Sequence, residues 1–302
     1  MSSHNVEQDL PPRNGAENES VDARYQILFE NVPVGLYITT PDGTIVEANP
    51  ALVRMLGYSD TSSLLGMRAS DLYVNPLDRS REQSLFDDDL VVESYETQLV
   101  RHDGELIWVR DTCRAIRGDS GEIVSYEGSL QDITAEKHAQ EELVYMAQHD
   151  PLTGLYNRHS LRSILKSEIV RARRYNHPIG ILMIDVNHFK EINDRFGHAI
   201  GDEVLSSVAD VLRTTLRESD VPVRYGGDEF LVLLIETDGE TEIVQERIRQ
   251  AMAARAKVDS MHDVPVTLAI GAAHWTPQSG ESIESVLSRA DRAMYADKRE
   301  NG

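Results

Sequence analysis

The pattern of hydrophobic and polar residues changes character twice along the 302-residue chain. Residues 1–22 are polar and show no periodicity, which predicts a disordered tail. Between residues 23 and 134, short apolar runs alternate with turn residues, a pattern typical of strands. Between residues 149 and 302, apolar runs alternate with amphipathic stretches, which indicates helices around a central sheet. We therefore predict an α+β domain followed by an α/β domain.

In the first domain we predict a short helix at Tyr25 and a second helix that begins at Asn49 and ends at Gly57. Turn residues such as Pro41-Asp42-Gly43 separate five strand candidates. These strands are predicted at Gly35–Thr39, Thr44–Ala48, Ser94–Val100, Glu105–Ala115 and Ile123–Ile133.

A helical linker is predicted at residues 135–148, with Thr134 as its N-cap. Its apolar residues follow one another at helical spacing and form a single stripe. Two interpretations are equally compatible with that stripe. The helix packs on one of the two domains, or it forms a short parallel coiled coil between two copies of the chain. The stripe consists of Ala135, Ala139, Leu143 and Met146.

In the second domain, the continuous apolar run Ile179–Val186 is typical of a strand buried on both faces. Two further strands, Val221–Tyr225 and Phe230–Ile235, are separated only by the four residues Gly-Gly-Asp-Glu. The other predicted elements are helices at Leu161–Tyr175, Phe189–Phe196, Glu203–Arg217, Glu242–Ala256 and Ile283–Asp297, and a strand at Val266–Ala273.

The candidate chemistry lies in three acidic residues. Asp185 ends the buried strand, where a charge is costly unless it is paired or binds a metal. Asp228 and Glu229 lie in the hairpin turn behind two glycines. We expect the three carboxylates to converge at one edge of the sheet, where they would suit a hard cation such as Mg²⁺.

Several motifs of the second domain resemble the GGDEF family of diguanylate cyclases. Residues 224–230 read Arg-Tyr-Gly-Gly-Asp-Glu-Phe, the family's signature. Residues 150–158, residues 185–194 and the last helix, with Ala290-Asp291 and Ala293-Met294-Tyr295, also match in the right order. The resemblance covers about 150 residues, and it implies a nucleotidyl-cyclase-like α/β domain at residues 149–302.

The resemblance also implies roles for individual residues. Asp185 and Asp228, with the Val186 carbonyl, would hold Mg²⁺, for which Mn²⁺ is the alternative. Glu229 would assist the metal or the attacking hydroxyl. Main-chain N–H groups at residues 188–190 would hold the phosphates at the start of a helix. The remaining substrate-binding residues would be Phe189, Lys190 and Lys298 towards phosphate, and Asn193, His198 and Asp202 towards guanine.

The implied reaction joins two GTP into cyclic di-GMP and two pyrophosphates. Each domain would hold one GTP, so a homodimer would be the active form, which favours the coiled-coil interpretation of residues 135–148. Arg217 and Asp220 match the family's product-inhibition site in their spacing from the signature. The alternative function is a catalytically silent domain that receives cyclic di-GMP through these two residues.

The first domain resembles a PAS domain, a sensor fold, over residues 23–134. The residues that carry this resemblance include Gly35-Leu36-Tyr37, Asn49-Pro50-Ala51 and Asp132-Ile133-Thr134. Its ligand is unknown. The only histidine between residues 23 and 134 is His102, which lies in a predicted turn. This argues against a haem bound through histidine. Cys113 lies in a predicted strand and is interpreted as a small buried apolar residue.

The net charge and the cysteine content restrict the classes of partner and the cellular compartment that we expect. The net charge is −21, of which residues 1–148 carry −16 and the rest −5, so we expect no binding to nucleic-acid polymers or to membranes. No signal peptide or membrane-spanning run is found, and a single cysteine suits a reducing cytoplasm.

Two departures from the family pattern concern charge. Asn187 stands where the family often has a second Asp. Relatives usually continue beyond residue 302 with an Arg-Asn pair, whose phosphate-binding role Arg299 would partly take over.

Overall fold

The computed structural model describes residues 15–75, 77–78, 81, 91–237, 241–258 and 266–301. The chain divides into two compact units, with the boundary between residues 141 and 142. Each unit has its own sheet of five strands. The mixed α/β character predicted for both halves is confirmed.

The first unit is an antiparallel sheet in the order β2-β1-β5-β4-β3, with its core on one face. Strand β1 pairs with both β2 and β5, and β4 lies between β3 and β5. The predicted strands are confirmed, and Cys113 is buried in the core as expected. The elements are α1 (Gly15–Asn31), β1 (Gly35–Thr39), β2 (Ile45–Ala48), α2 (Pro50–Met55), β3 (Val91–Val100), β4 (Leu106–Arg117) and β5 (Ile123–Asp132).

Two expectations for this unit are corrected. Helix α1 begins at Gly15, so residues 15–22 belong to a helix and not to a disordered tail. The segment contains alanine and glutamates, which suit a helix that continues into the apolar residues around Tyr25. The predicted tail residues 1–14 lie outside the described residues.

The linker helix α3 (Thr134–Gln148) begins with Thr134 itself, which is therefore not the N-cap. Its hydroxyl oxygen accepts instead from the Trp108 N–H of strand β4, at 2.9 Å. The Asp132 carboxylate accepts from the Thr134 N–H, also at 2.9 Å. The first turn of α3 is thus fixed to the sheet of the first unit. No residue of α3 is buried, and Leu143 is 63% exposed.

The second unit has the strand order β10-β7-β9-β8-β6, with helices packed around the sheet. Every residue of β7 is buried, because β10 and β9 flank it and core clusters cover its two faces. The elements are β6 (Tyr156–Asn157), α4 (Arg158–Tyr175), β7 (Ile179–Val186), α5 (Phe189–Phe196), α6 (His198–Thr215), β8 (Val221–Gly226), β9 (Glu229–Ile235), α7 (Thr241–Val258), β10 (Leu268–Trp275) and α8 (Ile283–Asn301).

The end of α3 is fixed to the start of α4 within this second unit. The Asn157 amide donates to the Ala147 carbonyl oxygen at 2.9 Å, and the Ser160 hydroxyl donates to the Gln148 carbonyl oxygen at 2.8 Å. His149 stacks between the rings of Tyr145 and Tyr156. Free carbonyls at the end of a helix need such partners.

Among the described residues, none of the helices has the length and apolar character that crossing a membrane requires.

Candidate functional site

Three acidic residues of the second unit, Asp185, Asp228 and Glu229, lie at the edge of the sheet where β7 ends. Asp185 and Glu229 are directly paired across β7 and β9. The Val186 N–H donates to the Asp228 carbonyl oxygen at 3.2 Å, which fixes the hairpin turn against the end of β7. The antiparallel pairing therefore brings together residues that are more than 40 positions apart in the sequence.

Burial and neighbouring negative charge raise the pKa of two acids at this edge, Asp185 and Glu229. Burial raises the pKa of Asp185 above its usual value, with a further contribution from Asp228, although Lys298 acts in the opposite direction. Burial is also the main cause of the raised pKa of Glu229. Repulsion from Asp185, Asp228 and the exposed Asp291 raises this pKa further. The Lys298 ammonium lies 2.5 Å from Asp185 Oδ1 and partly balances the negative charge.

This edge fits a hard cation, but with fewer carboxylates than expected. The three carboxylates lie at the same edge, as the pairing of Asp185 with Glu229 indicates. Within the part of the chain that the structure describes, however, no three His, Cys, Asp or Glu side chains are grouped closely enough to hold a metal ion between them. Two carboxylates and a main-chain carbonyl, from Asp185, Asp228 and Val186, still suit Mg²⁺, which often uses only one or two carboxylates besides phosphate oxygens.

The turn between β7 and α5 presents main-chain N–H groups. His188 adopts a left-handed conformation, with φ of 55°, and its side chain caps none of the main-chain N–H groups of α5. Its Nδ1 atom instead lies 3.0 Å from the Oε1 atom of Glu191. The first N–H groups of a helix attract anions when no side chain satisfies them. Phe189 packs on the core while Lys190 is exposed, so the two residues contribute differently to this turn.

The predicted guanine-binding residues lie on α5 and α6, which pack against each other. The Asn193 Oδ1 atom is buried without a hydrogen-bond partner. This oxygen lies against Gly201. A side chain at position 201 would overlap the oxygen, so the glycine leaves the space that the Asn193 amide occupies. His198 and Asp202 are exposed on the first turns of α6.

The Arg217 and Asp220 pair lies at the turn before β8. Asp220 is buried, and its two oxygens accept from the N–H groups of Arg217 and Ile235, at 3.1 and 3.2 Å. The Arg217 side chain is exposed. The carboxylate therefore stabilises the turn, and its predicted recognition of guanine stays a prediction.

Asn187 is also held in place. Its amide donates to the Thr267 hydroxyl at 3.0 Å, and its Oδ1 atom is buried without a hydrogen-bond partner. The residue therefore lies beside the acidic edge without adding a charge.

Sequence reasoning missed one pair that positions the hairpin turn. The Arg224 guanidinium bonds both oxygens of Asp150, at 2.9 and 3.0 Å, and also donates to the Gly227 carbonyl oxygen at 2.8 Å. It thus connects Asp150, two residues after the end of α3, to the turn that contains Asp228. Both residues lie in motifs quoted above, but their separation of 74 positions gave no sign of contact.

Comparisons with known proteins agree with this geometry. Residues 147–302 match the family described as "Diguanylate cyclase, GGDEF domain". The chain belongs to this family. Residues 33–135 match the family described as "PAS domain". Both resemblances are confirmed.

Named relatives cover this GGDEF protein to different extents. A "Diguanylate cyclase" of Vibrio cholerae is 27% identical over 91% of this chain and 86% of its own length. Diguanylate cyclase DgcM of Escherichia coli is 31% identical over 90% of this chain and 65% of its own. Diguanylate cyclase DosC of Escherichia coli is 41% identical over 50% of this chain, which spans only 33% of that protein.

Among solved structures, the coiled coil and GGDEF domain of DgcB from Caulobacter crescentus, in complex with c-di-GMP, is 29% identical with a TM-score of 0.51. The match covers 56% of this chain and 90% of the other.

Proposed function

We propose that this protein is a diguanylate cyclase that condenses two GTP into cyclic di-GMP and two pyrophosphates, and that its PAS domain regulates it. The 3′-hydroxyl of one GTP attacks the α-phosphorus of the other, pyrophosphate leaves with the bonding electron pair, and the hydroxyl proton passes to a base. The single observation that supports this best is the pairing of Asp185 with Glu229 beside the Asp228 turn. We propose the same domain organisation as the sequence analysis, with the tail ending before Gly15.

The residues of this edge have separate tasks in the proposed reaction. Glu229, whose pKa is raised by burial and by neighbouring acids, is suited to accept the hydroxyl proton. The N–H groups at residues 188–190 hold phosphate oxygens, with Lys190 and Lys298 as further positive charges. Asn193, His198 and Asp202 bind guanine. Mg²⁺ or Mn²⁺, bound by Asp185, Asp228 and the Val186 carbonyl, would supply charge stabilisation at the phosphoryl group.

The test is turnover of GTP with Mg²⁺ by the full chain, with cyclic di-GMP measured by chromatography. We expect Asp228→Asn and Glu229→Gln to lose product formation while they keep their fold. Glu284→Gln, which removes an exposed acid from α8, is the matched control. Binding of cyclic di-GMP without any product, in protein stripped of nucleotide, would instead support the receptor function.

We propose that the active form is a homodimer joined through α3. The apolar residues of this helix are exposed, with Leu143 at 63% and Met146 at 55%. Light scattering should give twice the monomer mass for the full chain, and Leu143→Glu should lower both the mass and the turnover. A monomeric chain with full activity would contradict the proposal.

We further propose product inhibition through Arg217, with Asp220 holding the turn. Arg217→Ala should leave the initial rate unchanged and abolish inhibition by added cyclic di-GMP. If inhibition is unchanged in this variant, the assignment is wrong.

Regulation by the PAS domain would act through α3. In the first unit, Arg110 bonds Glu96 at 3.0 Å and Glu136 of α3 at 3.4 Å, and Lys137 of α3 bonds Glu96 at 2.5 Å. A change in strands β3 and β4 therefore reaches the first turn of the helix directly.

A further inference from the structure

The last turn of α8 carries Lys298 to the acidic edge, but apolar packing does not hold that turn. Earlier in the helix, α8 packs closely on β10, since a side chain at Gly271 would overlap the α8 main chain at Ala290 and Met294. Within the part of α8 that the structure describes, no residue after Met294 is buried. A lysine side chain is long and flexible, and that of Lys298 is 37% exposed. Polar contacts are therefore needed to fix Lys298 beside Asp185.

Asp297 supplies such a contact. Strand β10 lies at the edge of the sheet, so the main-chain groups on its outer side have no neighbouring strand. The Asp297 carboxylate accepts from the Ile270 N–H of β10 at 2.8 Å. Ile270 directly follows Ala269, which is paired with Asp185 across β10 and β7. Asp297 and Lys298 are thus consecutive residues that contact two adjacent strands, Asp297 at β10 and Lys298 at β7.

Arg249 of α7 orients the Asp297 carboxylate. Its guanidinium lies 2.7 Å from Asp297 Oδ2, the same atom that accepts from the Ile270 N–H. The Arg249 and Asp297 side chains are 35% and 17% exposed, so water screens this ion pair only in part. Gln245, one turn earlier on α7, donates to the Ile270 carbonyl oxygen at 2.9 Å. Side chains from α7 and α8 therefore satisfy both main-chain groups of Ile270 and join the two helices to the sheet at one residue.

We propose that Asp297, oriented by Arg249, is a positioning residue that holds Lys298 at the acidic edge and so increases the affinity for the phosphates of GTP. The inference rests on the proposed function, because it takes GTP as the ligand of this edge. With Asp297 bonded to β10, the Lys298 ammonium is confined to the end of β7, and less conformational entropy is lost when it binds phosphate. A merely structural Asp297 would stabilise the sheet edge without any effect that depends on Lys298.

The test is a double-mutant cycle between positions 297 and 298 of the full chain, with nucleotide affinity measured by calorimetry in the presence of Mg²⁺. The probe is a GTP analogue with a methylene group in place of the oxygen between the α- and β-phosphorus atoms, from which pyrophosphate cannot leave. We expect Lys298→Met to weaken binding about tenfold and Asp297→Ala to weaken it about fivefold. Asp297→Ala should add no further loss in the Lys298→Met background, because its effect on binding depends on the lysine.

Two further variants and a stability measurement separate positioning from folding. Asp297→Asn keeps an oxygen for the Ile270 N–H and should weaken binding less than Asp297→Ala does. Urea unfolding should show that Asp297→Ala lowers the stability equally in the natural chain and in Lys298→Met. Glu284→Ala, which removes an exposed acid from the first turn of α8, is the matched control and should bind the analogue as the natural chain does.

Two results of the cycle would overturn the proposal. One is an undiminished affinity of Asp297→Ala, and the other is an equal loss of affinity in both backgrounds, which would leave Asp297 a structural role only. If Asp297→Ala fails to fold, Asp297→Asn takes its place in the cycle, with a loss of about twofold expected in the natural background alone.

The same measurements distinguish failure of this inference from failure of the proposed function. A natural chain that binds the analogue but forms no cyclic di-GMP from GTP would contradict the proposed cyclase, and the cycle of affinities would still decide the role of Asp297. A natural chain that does not bind the analogue would overturn both proposals.

Discussion

The bond between Arg224 and Asp150 should stabilise both the second unit and the geometry of its hairpin turn. We propose to break it with Arg224→Gln, with Asp150→Asn and with both changes together. Arg292→Gln, an exposed change on α8, is the matched control. Replacing the guanidinium leaves Asp150 without its opposite charge and the Gly227 carbonyl without two N–H donors.

The size of the expected destabilisation follows from the burial of the Arg224 and Asp150 side chains. Both side chains are 17% exposed, so the pair is neither a surface ion pair nor a fully buried one. Losing charge-assisted hydrogen bonds in such a place should cost about 2–4 kcal/mol in the free energy of unfolding. For a unit of this size, 3 kcal/mol corresponds to a fall in melting temperature of about 6–12 °C. Turnover should fall by about tenfold, because the turn that contains Asp228 loses its support.

The assay is urea unfolding of the natural chain, the three variants and the Arg292→Gln control at pH 7, with turnover measured in parallel. The double variant should lose little more than each single variant, because the changes remove the same contact. Burial acts to raise the pKa of Asp150, but hydrogen bonds from Thr153 and the charge of Arg224 lower it below its usual value overall. The stabilisation should therefore be complete above the unfolded pKa of about 4 and be lost as the pH falls through the lower folded value. Additive losses, or a difference between the natural chain and Asp150→Asn that persists in strong acid, would refute the reasoning.

Four further predictions concern the acidic edge, the contact between α5 and α6, and the linker helix. Glu229→Gln should raise the melting temperature by about 1–2 °C at pH 7 and not at pH 4, since the raised pKa makes the ionised acid destabilising above its unfolded value; an equal rise at both pH values would contradict this. Mg²⁺ should raise the melting temperature of the natural chain, EDTA should reverse the rise, and Asp228→Asn should remove it; a rise that survives in the variant would place the ion elsewhere. Gly201→Ala should displace Asn193 and raise the KM for GTP, and an unchanged KM in a folded variant would separate Asn193 from substrate binding. Insertions into α3 should change turnover with a seven-residue period, and indifference to their length would argue against transmission through the helix.

Much of the fold could be predicted because local patterns specify it. The unbroken apolar run at residues 179–186 predicted a strand buried on both faces, and that strand lies in the middle of its sheet. The bounds of α5 and β1 also agree with the sequence. Both depend on residues that are neighbours in the chain, such as the turn residues at 41–43 and the glycine at 197.

Other features depended on contacts between distant segments. Threonine is a common N-cap residue, and Thr134 precedes a helical pattern. Its hydroxyl nevertheless accepts from the Trp108 N–H of strand β4, because that strand lies beside it. The sequence placed three acids near one edge, yet only the structure gives their spacing and the intervening Lys298. Repulsion between like charges and the reach of one lysine are tertiary effects without a local signal.

The sequence by itself therefore determined the two domain types, most of the strands and helices, and the residue types at the active edge. Periodicity and motifs are local properties, and they remain the same however the chain is folded. Only the tertiary structure decided which polar groups share a buried space, such as Asp150 with Arg224 and Tyr37 with Asp111. Both pairs are 74 positions apart, and their contact exists only once the sheets have formed.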